Sequence, residues 1–122
     1  MITIKRIYET PSRDDGLRVL VDRLWPRGMS KEKARVDLWL RDISPSNELR
    51  KWYNHDPQKW NEFKEKYFAE IEAQKGLLEP LRKKIKEEKI TLLFGSKELQ
   101  INNATALKEY LETQYINSPS FI

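Results

Sequence analysis

The sequence contains no cysteine, which excludes disulfides, thiol nucleophiles and thiolate metal sites in one step. Its single histidine, His55, also excludes a structural zinc site, which draws on several Cys or His ligands. Glycine is scarce, at four residues, and none brackets a phosphate loop: Gly95-Ser96-Lys97 is too short, and its lysine is not followed by Ser or Thr. No apolar run approaches the roughly 20 residues that a membrane-spanning helix needs. Residues 1–6 lack the apolar stretch of a secretory signal, so the cytoplasm is the expected location and no membrane partner is expected. Nothing resembles a Ser-His-Asp triad beyond the presence of the residue types.

What remains is a chain of 122 residues, enough for one domain with one core. Aromatic residues make up 11% of it, which argues against disorder. The net charge of +4 is modest, but its distribution is uneven. Residues 1–60 hold 13 Lys and Arg against 9 Asp and Glu, whereas residues 61–122 hold 10 of each. Eight of the nine arginines lie between Arg6 and Arg50, and only Arg82 lies beyond. Arginine is the better residue for forked recognition of carboxylate or phosphate, so the first half is where an anion site is expected. The same arginines can also pair with nearby acids and cover apolar surface with their stems.

Ile2-Thr3-Ile4 with Ile7 and Tyr8 predicts a first strand over about residues 2–8. Asp15-Gly16 marks a turn. Residues 17–25 read as the clearest strand, ended by Pro26, with Val19 and Val21 on one face and Leu20 and Leu24 on the other. Ser30 is placed to cap a short helix through about Val36, and Leu38-Trp39-Leu40 adds apolar bulk. Ser44 as N-cap and Pro45 at the first helical position predict a helix to about Tyr53, and Asp56-Pro57 repeats the device. Trp60, Phe63, Lys64, Tyr67, Phe68 and Ile71 then keep helical spacing as far as a stop at Gly76. Leu77, Leu78, Leu81 and Ile85 mark a further helix with a basic end, Arg82-Lys83-Lys84. Ile90–Phe94 is a buried strand, followed by the Gly95-Ser96-Lys97 turn. Ala104, Leu107, Tyr110 and Leu111 form one stripe of a closing helix. The expected fold is a small α/β domain over residues 1–114, a mostly parallel sheet of three to four strands flanked by helices, with a flexible tail over 115–122. The strands at 17–25 and 90–94 should be parallel neighbours, because a long helical crossover joins them.

The run Arg18-Val19-Leu20-Val21-Asp22-Arg23-Leu24-Trp25-Pro26-Arg27-Gly28 resembles the signature of the YeaO-like family, a domain of unknown function (number 488). Ile43-Ser44-Pro45-Ser46 with Leu49-Arg50, then His55, Phe63 and Tyr67, and Thr91-Leu92-Leu93-Phe94 with Lys97, Asn102 and Ala104, resemble its later motifs in the same order. The resemblance implies an α/β fold and supplies no reaction, ligand or cofactor. Two departures stand out. Phe94-Gly95-Ser96-Lys97 replaces the usual Tyr-Ser-Ala-Lys, and Asn102-Asn103-Ala104 replaces Asn-His-Ala. A mechanism needing that second histidine could not operate here unchanged.

Ligands of α/β sheets usually sit beyond the carboxyl ends of the strands. There Asp22, Arg23, Trp25 and Arg27 leave one strand while Ser96 and Lys97 leave its neighbour, and Arg18 and Arg50 belong to the same arginine-rich half. These eight residues are the candidate ligand-binding set, for a phosphate-bearing or other anionic small molecule. Gly95 would let a backbone approach such a ligand closely. Arg23 and Arg27 could instead tie down the loops at Gly28 and at 42–46 through carbonyls and Asp22. His55 and Asp22 are the candidates for acid–base chemistry, although a histidine there could also simply hydrogen-bond within a turn. Asp14, Asp15 or Asp22 could hold magnesium, but acidic turns are common and no metal site is assigned. The competing expectation is a non-catalytic module. Trp39, Trp52, Trp60, Phe63 and Tyr67 read mainly as core, yet interleaved with Arg41, Arg50 and Lys51 they could face a nucleic acid or a protein partner. The sequence pI of 9.3 permits nucleic-acid binding, but the small net charge does not favour it.

Overall fold

The computed structural model describes residues 1–121. Four parallel strands form one sheet: β1 (Ile2–Arg6), β2 (Leu17–Leu20), β3 (Leu38–Trp39) and β4 (Ile90–Phe94), in the spatial order β1-β4-β2-β3. The expected pairing of the second long strand with the last one holds, with Val19 opposite Leu92 and Leu20 opposite Leu93. The strands are covered on both faces, and the core that a residue joins alternates with the two-residue period of a strand. Val19, Val21, Ile90, Leu92 and Phe94 belong to the main core, and Leu20, Leu93 and Ile7 to a smaller core on the opposite face.

Five α-helices accompany the sheet: α1 (Lys31–Ala34), α2 (Asn47–Tyr53), α3 (Trp60–Ala73), α4 (Glu79–Glu87) and α5 (Asn103–Tyr110). Phe63, Tyr67 and Ile71 of α3, Leu81 and Ile85 of α4, and Ala104, Leu107 and Tyr110 of α5 share the main core. On the second face, Trp25, Met29 and Val36 of the β2–β3 connection and Trp39 of β3 pack on the smaller core. Trp25 and Trp39 meet edge to face at 5.4 Å, and Trp25 Nε1 donates to the Met29 carbonyl at 2.6 Å.

Several boundaries differ from the sequence expectation. The first strand stops at Arg6, and the second stops at Leu20 although Val21 N–H still donates to the Leu93 carbonyl at 3.1 Å. The chain turns away at Asp22, whose carboxylate and carbonyl are taken by Gly95 N–H and Trp39 Nε1. Leu24, expected on an inner face, is therefore 70% exposed. Leu38 and Trp39 form a two-residue edge strand beside β2, too short to show any alternation. Helix α2 begins at Asn47, not at Pro45. Its cap is Ser46, whose Oγ accepts Leu49 N–H at 3.1 Å, while Ser44 is buried and donates to the Arg41 carbonyl. The expected cap at Asp56 is present, accepting Gln58 N–H at 3.0 Å ahead of a 3-10 turn that feeds α3. Helix α3 ends at Ala73, and Gly76 sits inside a following 3-10 turn rather than acting as the stop. After α5 the chain makes a π-helical turn over Leu111–Tyr115. Tyr115 and Phe121 are both buried and meet edge to face at 5.2 Å, so this stretch is packed where composition suggests a loose tail.

Candidate functional site

In a parallel sheet all carboxyl ends lie on one side, and the loops that leave them share that side. Here a cleft of about 550 Å³ opens beyond the ends of β2 and β4, a volume in the usual range for small-molecule sites. Asp22, Arg23 and Leu24 enter it from the end of β2, and Phe94 and Ser96 from the end of β4. Asn47, Arg50, Lys51, Tyr53 and Asn54 come from α2 and its C-terminus, followed by His55, Trp60 and Phe63. Ile101, Asn102 and Asn103 close the far wall at the start of α5.

Asp22 is the acidic centre. Its Oδ2 accepts Gly95 N–H at 2.7 Å, and its Oδ1 lies 3.4 Å from the Asn103 amide nitrogen. Burial pushes the Asp22 carboxyl above the usual range, against the opposing pull of the Gly95 and Asn103 bonds and of the nearby Arg50 charge. A Cβ on Gly95 would stand 3.3 Å from Asp22 Oδ2. The close approach that this glycine permits is thus made by the protein's own carboxylate.

Arg23 and Arg50 supply the positive charge. Arg23 Nε is buried and has no hydrogen-bond partner among the described residues, while its Nη2 makes only a long bond, 3.5 Å, to the Pro45 carbonyl. The expected tying of Arg23 to the loop at 42–46 is therefore weak. Arg50 is exposed on α2, and among the described residues its guanidinium bonds the Asn47 side chain alone. Helix α2 is held in place from α3: Glu70 accepts the Ser46 N–H at 2.9 Å and the Ser46 hydroxyl at 2.5 Å. One wall is aromatic. Tyr53 lies 4.5 Å from Phe63, which stacks on Trp60 at 5.5 Å and 16°. Burial, with Asp56 and Glu98 nearby, raises the Tyr53 phenol above its ordinary range.

The cleft brings together Asp22, Arg23, Arg50, Ser96 and His55 from the candidates read in the sequence. Ser96 contributes its position more than its hydroxyl, which accepts Glu98 N–H, while its carbonyl accepts Arg6 Nε. His55 is exposed at the rim, and it and Asn54 both have left-handed backbone, with φ of 54° and 46°.

The other candidates lie elsewhere. Arg18 is buried, and its guanidinium is used up on Asp15 at 2.5 Å and on the Ala34 and Arg35 carbonyls. Trp25 packs on the opposite face. Arg27 and Lys97 are exposed and do not line the cleft; the Arg27 carbonyl accepts the Tyr8 hydroxyl at 2.8 Å. Asp15, paired with Lys5 and Arg18, sits before the start of β2, so it cannot share a magnesium ion with Asp22 beyond the end of that strand. Among the described residues no group of three His, Cys, Asp or Glu stands together. Sequence reasoning assigned Trp60 and Phe63 to packing and missed Tyr53 and the asparagines. The signal available for them was their position, at the C-terminus of α2 and the N-terminus of α5, the helix ends that border the carboxyl side of the sheet.

The chain matches the family described as "Inactive DUF488-N3 subclade" over residues 1–119. It is 37% identical to the uncharacterized protein YeaO of Escherichia coli (strain K12) over 112 residues, 92% of this chain and 97% of that protein. The chain belongs to the YeaO-like DUF488 family. Within this family it is also 38% identical to the uncharacterized protein Rv3073c of Mycobacterium tuberculosis (strain ATCC 25618 / H37Rv), over 90% of this chain and 92% of that one. The uncharacterized protein Mb3100c of Mycobacterium bovis matches to the same extent. No solved structure matches the chain significantly. Among the described residues, no helix is long and apolar enough to cross a membrane. Asn103, where the resemblance to the YeaO-like family leads one to expect a histidine, is an amide facing Asp22.

Proposed function

We infer that this protein binds a small anionic molecule, a carboxylate or phosphate ester, in the cleft beyond the ends of β2 and β4. The observation that carries this reading is the pair Arg23 and Arg50 on one cleft, with the Arg23 Nε buried and without a partner among the described residues. Leaving a buried N–H unsatisfied costs about 1–3 kcal/mol, more for a charged group, and a guanidinium meets this need best with an oxyanion. Among the charged lining groups, Arg23, Arg50 and Lys51 outnumber the single carboxylate of Asp22. Binding without turnover is supported by the description of the subclade as inactive and by the amide at Asn103.

A thermal-melt screen tests this, using phosphate, sulfate, sugar phosphates, nucleotides and organic carboxylates on wild type and Arg50→Ala. A ligand at 100 times its Kd adds about 2.7 kcal/mol, a shift of roughly 10 °C for a domain of this size. The expected result is a shift with one or more organic anions that Arg50→Ala abolishes while the variant's own melting temperature stays near wild type. No shift with any anion, or an equal shift in Arg50→Ala, would contradict the reading.

A further inference from the structure

Two kinds of spare hydrogen-bonding capacity line the same cleft. On the acceptor side, Asp22 receives one firm bond, from Gly95 N–H at 2.7 Å, and one long bond from Asn103 at 3.4 Å. A carboxylate offers about four lone-pair sites, so Asp22 keeps acceptor capacity beside the open volume. On the donor side stand Arg23 Nε, which has no partner among the described residues, and the exposed Arg50, which among them bonds Asn47 alone. Beside them lie the half-buried rings of Tyr53 and Trp60, backed by the buried Phe63 and Phe94, with Leu24 at 70% exposure.

A bare oxyanion fits this lining poorly. It would satisfy the arginines, face the Asp22 carboxylate with like charge, and leave the aromatic wall unused. A ligand with two opposite charges and an apolar body satisfies all three features. We propose that the cleft takes a zwitterion of the α-amino-acid type with a bulky apolar side chain. Its carboxylate accepts N–H bonds from Arg50 and Arg23, its ammonium donates to Asp22, and its side chain covers Leu24 and the exposed parts of Tyr53 and Trp60. This rests on the anion-binding reading and adds a specific role for Asp22, which selects for a donor group. Burial that disfavours a lone carboxylate at Asp22 is relieved when an ammonium arrives, so the acid works for binding and against stability.

The test measures affinities by isothermal titration calorimetry for L-phenylalanine, 3-phenylpropionate, 2-phenylethylamine, adenosine 5′-monophosphate and inorganic phosphate. The first binds tighter than either single-charge analogue by at least about tenfold, the size of one lost charge-assisted bond. Asp22→Asn keeps an oxygen for Gly95 N–H, so it folds; it removes the preference of L-phenylalanine over 3-phenylpropionate. Arg50→Ala weakens both acids and leaves 2-phenylethylamine unchanged. If 3-phenylpropionate or adenosine 5′-monophosphate matches L-phenylalanine in wild type, or if Asp22→Asn leaves the preference intact, the zwitterion proposal falls while anion binding stands. If L-phenylalanine, 3-phenylpropionate, the nucleotide and phosphate all fail to bind, both fall.

Discussion

Asp22 and Asp15 are both shielded carboxylates, and their partners send them in opposite directions. Burial works to raise Asp15, and it is outweighed by Ser12 N–H, Lys5 and Arg18, so this group lies below the usual carboxylate range. Its contribution to stability is present above the unfolded value, near 3.9, and is lost as pH falls through the lower folded value. Removing Arg18 leaves the buried Asp15 carboxylate with Lys5 and Ser12 N–H only, and takes the guanidinium from the Ala34 and Arg35 carbonyls. Arg18→Ala should cost about 2–3 kcal/mol by denaturant titration, a large share of a small domain's stability. A loss under 1 kcal/mol would mean that the network is ornamental. Asp22 has the reverse sign. Its raised value means that the folded state binds more protons than the unfolded state, so ionisation costs stability as pH rises through that range. Asp22→Asn should therefore melt above wild type at pH 7, with the gap closing as pH falls below the ordinary carboxylate range. A variant less stable than wild type at pH 7 would show Asp22 to be a structural residue.

At the scale of elements, the site depends on how α2 is seated. Glu70 on α3 accepts both the N–H and the hydroxyl of Ser46, and Ser46 in turn caps α2 at Leu49. Ser46→Ala loses the cap and one bond to Glu70, and should cost about 1–2 kcal/mol in chemical denaturation. Because α2 carries Arg50, anion binding should weaken in the same variant. Unchanged binding would mean that Arg50 is positioned by other contacts. This anchor also explains a misreading of the sequence. Ser44-Pro45 and Ser46-Asn47 are both reasonable helix starts, and the choice between them is made by Glu70, 24 residues away. Strand β3 was illegible for a related reason, because two residues carry no period and its pairing with β2 is settled by tertiary position. The strands β2 and β4 are legible as short, nearly continuous apolar runs buried on both faces, and the stripes of α3, α4 and α5 because burial there follows the helical period.

The whole molecule is asymmetric along its strands. Around the start of β2, Asp15 pairs with the side chains of Arg18 and of Lys5 from β1 in a closed network, whereas the loops beyond the carboxyl ends bring cations, one carboxylate and aromatic side chains to an open cleft. The location of the cleft followed from parallel topology, which the sequence already implied. Its membership did not. Arg27 was expected to join Arg23, but the chain turns away from the sheet after Asp22 and leaves Arg27 exposed. Tyr53 and Trp60 line the cleft because a pair of left-handed residues, Asn54 and His55, reverses the chain between α2 and α3, a conformation that asparagine tolerates and that no periodicity reveals. Function should therefore concentrate at this end of the sheet. The most direct measurement is a titration of isotope-labelled protein with 3-phenylpropionate, following backbone amides by NMR. The account predicts saturable shifts clustered at residues 22–24, 50–55, 95–96 and 101–103, and their loss in Arg50→Ala. Shifts confined to another surface, such as the lysines of α4, or no shifts at millimolar anion, would contradict it.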